Sequence, residues 1–157
     1  MESPELQSAE ETVSAVVTQA FNQSPEEVFD AWVNPEQVKR WFGTGLGEVT
    51  QVSVDPGPGG LLSITQMQED GEVTHFGKFQ QVIHPRRMIF LWTMEGDEGH
   101  DRIIVDIAPK PIGCEVTLTY EMDAEYAEFV ENAELAWGVM LRSMAQMLIK
   151  DEQADEE

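Results

Sequence analysis

The residue with the clearest chemical potential in this chain is His75. In the run Val73-Thr74-His75-Phe76-Gly77-Lys78-Phe79, positions 73, 75, 77 and 79 share one face of an extended strand. Thr74, Lys78 and Gln80 share the other, and Phe76 breaks the alternation. An inward imidazole can orient a ligand or move a proton, because its unperturbed pKa lies near ~6.5. It can equally be a core histidine satisfied by a hydrogen bond, so both readings stay open. His84 and His100 fall in turn sequences and read as solvated. Cys114 is the one cysteine, and no Cys or His pair has metal-ligand spacing, so no metal centre is expected. Carboxylates are abundant but fall on outer faces and at the ends. Asp106 alternates with the inward set Ile103, Val105 and Ile107, which points it outward and makes it a weak catalytic candidate. No Ser-His-Asp arrangement or nucleophile elbow stands out. Gly57-Pro58-Gly59-Gly60 lacks the spacing, the lysine and the following Ser or Thr of a phosphate-binding loop. The sequence therefore names no catalytic residue and no cofactor.

Composition narrows the class. The 157 residues suit one domain, and 41% apolar content suffices for a packed interior. Nine basic and 30 acidic residues give a formal charge of −21. Such a surface repels nucleic-acid phosphates and anionic membranes. A cationic partner or adaptation to high salt is compatible with it. A lone cysteine permits no intrachain disulfide. Met1-Glu2-Ser3-Pro4-Glu5 lacks the apolar stretch of a signal peptide, and no apolar run approaches the ~20 residues of a membrane span. A cytoplasmic location is the expectation.

The elements that would position His75 follow from local pattern. Residues 1–11 and 151–157 are acidic and polar and read as disordered ends around one domain at 12–150. Thr12 to Phe21 reads as a strand. Ser24-Pro25-Glu26-Glu27 is a capping-box signature opening a short helix that carries Val28, Phe29, Trp32 and Val33 coreward. Asn34-Pro35-Glu36 restarts helix as far as Trp41-Phe42-Gly43. Strands follow over 48–55, 61–68, 72–83, 88–94, 101–108 and 114–121, separated by turn-rich segments. Their spacing implies an antiparallel meander. From Asp123 to Lys150 the apolar residues Tyr126, Phe129, Val130, Ala133, Trp137, Met140, Leu141, Met144 and Leu148 recur at helical spacing. They predict one amphipathic helix of about seven turns. Acids in its first half and Arg142 and Lys150 in its second complement the helix dipole. Its long apolar stripe has only the sheet to lie on.

Four stretches resemble a known family. Val17 to Trp32, with Asn34-Pro35-Glu36 and Arg40-Trp41-Phe42, is similar to the opening of activator of Hsp90 ATPase homologue 1-like proteins. That family is related to the activator's C-terminal domain and lies within the START-like, or Bet v 1-like, superfamily. Asp55 with Gly59-Gly60, His75-Phe76-Gly77-Lys78-Phe79 and Pro85 to Trp92 continue the likeness in order, over about residues 12–149. The resemblance implies an α+β helix-grip fold. A curved antiparallel sheet of six to seven strands and two short helices would be gripped by one long C-terminal helix, with a ligand cavity between sheet and helix. It does not imply one function, since related proteins include lipid carriers, cyclase-like enzymes and chaperone regulators.

The expected cavity wall joins Val73, His75, Phe79, Phe90, Trp92 and Val105 from the sheet to Phe129, Trp137, Met140 and Met144 from the helix. Trp41-Phe42 lies at the mouth as a gate, or buried as an anchor. Rings and methionines suit a mouldable apolar pocket, and they suit a solid core as well. Three functions follow. The first is binding of a small hydrophobic molecule, lipid or aromatic. The second is a cyclase- or hydrolase-like enzyme in the same cavity, which needs a second polar group near His75. The third is regulation of an Hsp90-type chaperone through the surface.

Overall fold

The computed structural model describes residues 12–43, 47–96 and 99–155, so the expected disorder of residues 1–11 lies outside the described residues. Its elements are β1 (Thr12–Phe21), α1 (Pro25–Val33), α2 (Pro35–Trp41), β2 (Val49–Val54), β3 (Leu61–Gln68), β4 (Gly71–Ile83), β5 (Arg87–Met94), β6 (Asp101–Pro109) and β7 (Cys114–Asp123). A 3₁₀ segment (Ala124–Phe129) and α3 (Val130–Asp155) complete the described residues. Among the described residues, the seven strands form one antiparallel sheet ordered β1-β7-β6-β5-β4-β3-β2. The first strand thus pairs with the last, and the meander runs back to β2 at the far edge. This is the helix-grip architecture expected from the sequence.

Local chemistry sets the short helices. The Ser24 hydroxyl accepts from the Glu27 backbone N–H at 3.2 Å, and the Glu27 carboxylate accepts from the Ser24 N–H at 3.0 Å. These two bonds satisfy helix-end donors reciprocally. Asn34 serves two helices. Its own N–H donates to the Asp30 carbonyl at the end of α1, while its side chain accepts from Glu36 N–H at 2.9 Å to start α2. The chain turns sharply there without leaving orphan groups.

The core lies between the inner face of the sheet and the three helices. Ile103, Val105, Val116 and Leu118 are fully enclosed on the sheet side, and Leu141 and Met144 on the α3 side. A bulge between Phe79 and Gln81 interrupts the β4–β5 register, and such bulges bend a strand.

The last element differs from the sequence expectation at both ends. Residues Ala124–Phe129 form a 3₁₀ segment, broken by a non-helical Tyr126 at φ −102 and ψ 21. At three residues per turn, Tyr126 and Phe129 share a stripe that is out of phase with the buried stripe of α3. They are 47% and 46% exposed and lie against each other at 6.2 Å. The placement of Phe129 on the cavity wall is therefore corrected. At the other end the helix runs past Lys150 to Asp155. Arg40 of α2 holds Asp151 through two hydrogen bonds of 2.9 and 3.0 Å, and no Gly or Pro stops the helix before them.

Candidate functional site

Register determines which side chains meet under α3. Leu62, Gly77 and Trp92 form one inward row across β3, β4 and β5, and Ile64, His75 and Met94 form the next. Phe79, Phe90, Ile103 and Tyr120 form a third. Gly77 has no side chain at the point where Leu62 and Phe90 approach. A Cβ there would lie 3.1 Å from the Leu62 side chain and 3.4 Å from the Phe90 ring. Its absence lets the rings on either side close over the strand.

The result is a continuous ring cluster. Trp32 of α1 meets Trp41 of α2 edge-on at 5.0 Å and stacks on Trp137 of α3 at 6.2 Å. Trp137 meets Trp92 at 6.0 Å, and Trp92 stacks on His75 at 5.4 Å with planes 13° apart. Phe42 closes the circle, edge-on to His75 at 5.1 Å and to Trp137 at 6.2 Å. Edge-on and offset contacts of this kind add to the burial of large apolar surfaces.

The polar atoms of the cluster fall into two groups. In the first are those with partners. Trp41 Nε1 donates to the Ala31 carbonyl at 2.9 Å, which makes Trp41 a buried anchor rather than a gate. Tyr120 donates its hydroxyl to Asp101 at 2.7 Å. Gln66, 1% exposed, donates to the carbonyls of Gly43 and Gly47, each at 3.1 Å, and accepts from the Gln68 amide at 3.0 Å. The Gly43 N–H points to Met140 Sδ at 3.0 Å, so the chain after α2 is tied to the sheet through Gln66 and to α3 through Met140. Gly43 takes φ +61, and a Cβ there would collide with the Gln66 amide, so glycine is required.

The second group has no partners among the described residues. Trp32 Nε1 and His75 Nε2 are buried without a hydrogen bond. Gln23, in the connection from β1 to α1, is 2% exposed with both amide atoms unpaired. Burial lowers the His75 pKa, which favours the neutral ring.

Most of the residues expected at the site converge here. Trp41, Phe79, Phe90, Trp92, Val105, Trp137, Met140 and Met144 are buried in the core, and Val73 and His75 are half-buried at its β3–β4 side. Phe129 is not among them. Phe42, expected with Trp41 at the mouth or as an anchor, is buried in the ring cluster; sequence reading missed Trp32 as a member of it, and Gln66 and Gln23 as buried amides. For Gln66 a signal existed, since it continues the inward alternation Leu62, Ile64, Gln66. The space expected to be an open cavity is occupied by the rings. Two open grooves, about 250 and 240 Å³, lie on the outer face of β2–β5. Asp106 points outward, paired with Arg87 at 3.3 Å.

With this geometry in view, comparison with known proteins is decisive for the family. Residues 22–149 match the model of the activator of Hsp90 ATPase homolog 1-like protein. The chain belongs to that family. No curated protein matches it in sequence. Solved structures match its fold closely. A protein from Nitrosomonas europaea superposes with a TM-score of 0.79 at 16% identity, covering 90% of this chain and 97% of its own. A Staphylococcus aureus protein of unknown function gives 0.75 at 18% identity, covering 91% and 97%. An AHSA1-like protein from Aeromonas hydrophila gives 0.73 at 24% identity, covering 92% and 96%. The family and these neighbours fit the START-like, or Bet v 1-like, superfamily. That fold is compatible with ligand binding and with chaperone regulation. Among the described residues, no helix is long and apolar enough to cross a membrane.

Proposed function

We propose that the protein reversibly binds a small, mostly apolar molecule, an aromatic compound or a lipid, within the ring cluster beneath α3. The observation that carries this reading is the pair of buried ring nitrogens, Trp32 Nε1 and His75 Nε2, with no hydrogen-bond partner among the described residues. Leaving such an atom unpaired costs roughly 1–3 kcal/mol each. A ligand with an acceptor for the indole N–H, and a group complementary to the neutral imidazole, recovers that cost while its apolar body replaces ring contacts. Entry parts the rings on the α3 side, where the flexible side chains of Met140 and Met144 flank Trp137 and can repack around different shapes. His75 gives this pocket one polar contact rather than an acid–base pair, because no carboxylate among the described residues meets its Nε2.

Titrating the protein with fatty acids, sterols, flavonoids and small aromatics, read by tryptophan emission and thermal shift, tests the proposal. One ligand class should bind saturably and raise the melting temperature. Binding should weaken in His75→Phe and be lost in a Trp137→Ala variant that still folds. Absence of saturable binding in every class would count against it.

A second reading rests on the family match alone: the domain binds an Hsp90-type chaperone through its surface and alters its ATPase rate. An unchanged rate at saturating concentrations of this protein would remove it.

A further inference from the structure

The outer face of the sheet carries two different chemistries. On β6 and β7 the outward carboxylates Asp106, Glu115 and Glu121 each have a cation. Asp106 pairs with Arg87 at 3.3 Å, Glu121 with Arg102 at 2.8 Å, and Glu115 with Lys110 at 3.7 Å. On β2–β5 the outward rows away from the β4 bulge are Leu61–Lys78–Leu91, Ser53–Ser63–Phe76–Thr93, Gln51–Thr65–Thr74 and Met67–Glu72. Those rows hold one carboxylate, Glu72, in a chain that has 30. They also leave apolar surface in water, with Leu61 64% and Phe76 42% exposed.

Leu61 and Phe76 line both open grooves. The one of about 250 Å³ continues over Leu91 and Thr93, with Lys78 and His100 at its rim. Lys78 has no carboxylate partner among the described residues, whereas the other cations of this face are paired. An ammonium with no ion pair among the described residues, beside an apolar floor on a protein of charge −21, offers an anion a cation to pair with. Clustered exposed apolar surface of this kind marks an interaction site.

We infer that this groove binds a small amphiphilic anion, an aromatic or short-chain carboxylate, with its apolar body on Leu61, Phe76 and Leu91 and its carboxylate at Lys78. Two observations select this occupant. The charge at the rim is complementary to an anion, and the volume lies just below the roughly 300–1,000 Å³ of pockets for drug-sized ligands. The inference is independent of ligand binding beneath α3, because the two sites lie on opposite faces of the sheet.

The test is a titration of the ¹⁵N-labelled full chain with naphthalene-2-carboxylate, and with its uncharged methyl ester, followed by amide and indole N–H shifts. Saturable shifts at Phe76, Lys78, Leu91 and Thr93 are expected, weaker in high salt and weaker for the ester. Lys78→Gln should lower the affinity by roughly tenfold, the loss of one charge-assisted contact. Phe76→Ser should lower it as well. Both substitutions are at exposed positions, and their spectra verify the fold. Equal affinity of wild type and Lys78→Gln would overturn the inference, as would the absence of saturable shifts on β4 and β5. Shifts confined to the indole N–H signals of Trp32 and Trp137 would overturn it too, while supporting the inner site.

Discussion

His75 and Phe76 are neighbours in the chain and occupy opposite environments. The polar ring of His75 points inward, stacked on Trp92, while the apolar ring of Phe76 points outward and is 42% exposed. This inverts the usual arrangement, and each face tolerates its exception for a different reason. On the inner face, α1, α2 and α3 exclude water, so an unpaired nitrogen is expensive and is a signal for a partner. On the outer face no described element covers β2–β5, so an exposed ring costs little by itself and gains meaning only where it clusters with Leu61 and an unpaired Lys78. The same pleat therefore offers two surfaces whose exceptions must be read on different scales. Buried polar atoms are read singly, and exposed apolar atoms are read as patches.

The largest effect that could break this comparison is a paired truncation. Phe90→Ala on the inner face should cost about 3–5 kcal/mol in urea unfolding, because it leaves a cavity among packed rings. Phe76→Ala on the outer face should change stability by only about 0.5 kcal/mol. Equal losses would mean that something covers the outer ring. A polar pair gives the next contrast. Gln66→Leu strands the carbonyls of Gly43 and Gly47 and should cost about 2 kcal/mol. Thr65→Ala removes an outer-face hydroxyl contact to Thr74 of 3.0 Å, where water substitutes, and should cost well under about 1 kcal/mol.

A pH series sharpens the meaning of the buried imidazole. The folded-state pKa of His75 is lowered by burial, so the unfolded chain takes up this proton first as the pH falls. Its neutral form therefore favours the native state fully above the ordinary value of ~6.5, and that contribution is lost as the pH falls through the lowered folded value. Subtracting a His75→Gln stability profile from the wild-type profile should isolate this loss below ~6.5. A flat difference would place the ring in water. The smallest expected effect is at an exposed ion pair: Arg102→Ala should cost no more than about 1 kcal/mol at low salt and less at high salt.

Much of the architecture was legible because it depends on period and on end signals. Alternation in β4 to β7 assigned Phe79, Phe90, Trp92, Val105 and Leu118 to one face, and register then brought those faces together. Capping residues Ser24 and Asn34 marked two helix starts. Less was legible at the C-terminal element. Tyr126 and Phe129 fit an α-helical spacing as well as a 3₁₀ one, since i and i+3 share a face in both, and only the backbone after β7 chose between them. The anchoring of Asp151 by Arg40 joins residues 111 positions apart, which no local pattern reports.

What the sequence determined by itself, then, is the order of elements, the inward direction of His75 and the family of the chain. Each of these rests on neighbours within a few residues or on motifs in linear order. Tertiary structure alone decided that the inward rings meet and fill the space beneath α3. It also decided that, among the described residues, Trp32 and His75 keep unpaired nitrogens there and Lys78 stands without a carboxylate on the opposite face. These outcomes depend on distances between side chains brought together from separate helices and strands. Packing and charge pairing are properties of such distances, and composition and spacing do not contain them.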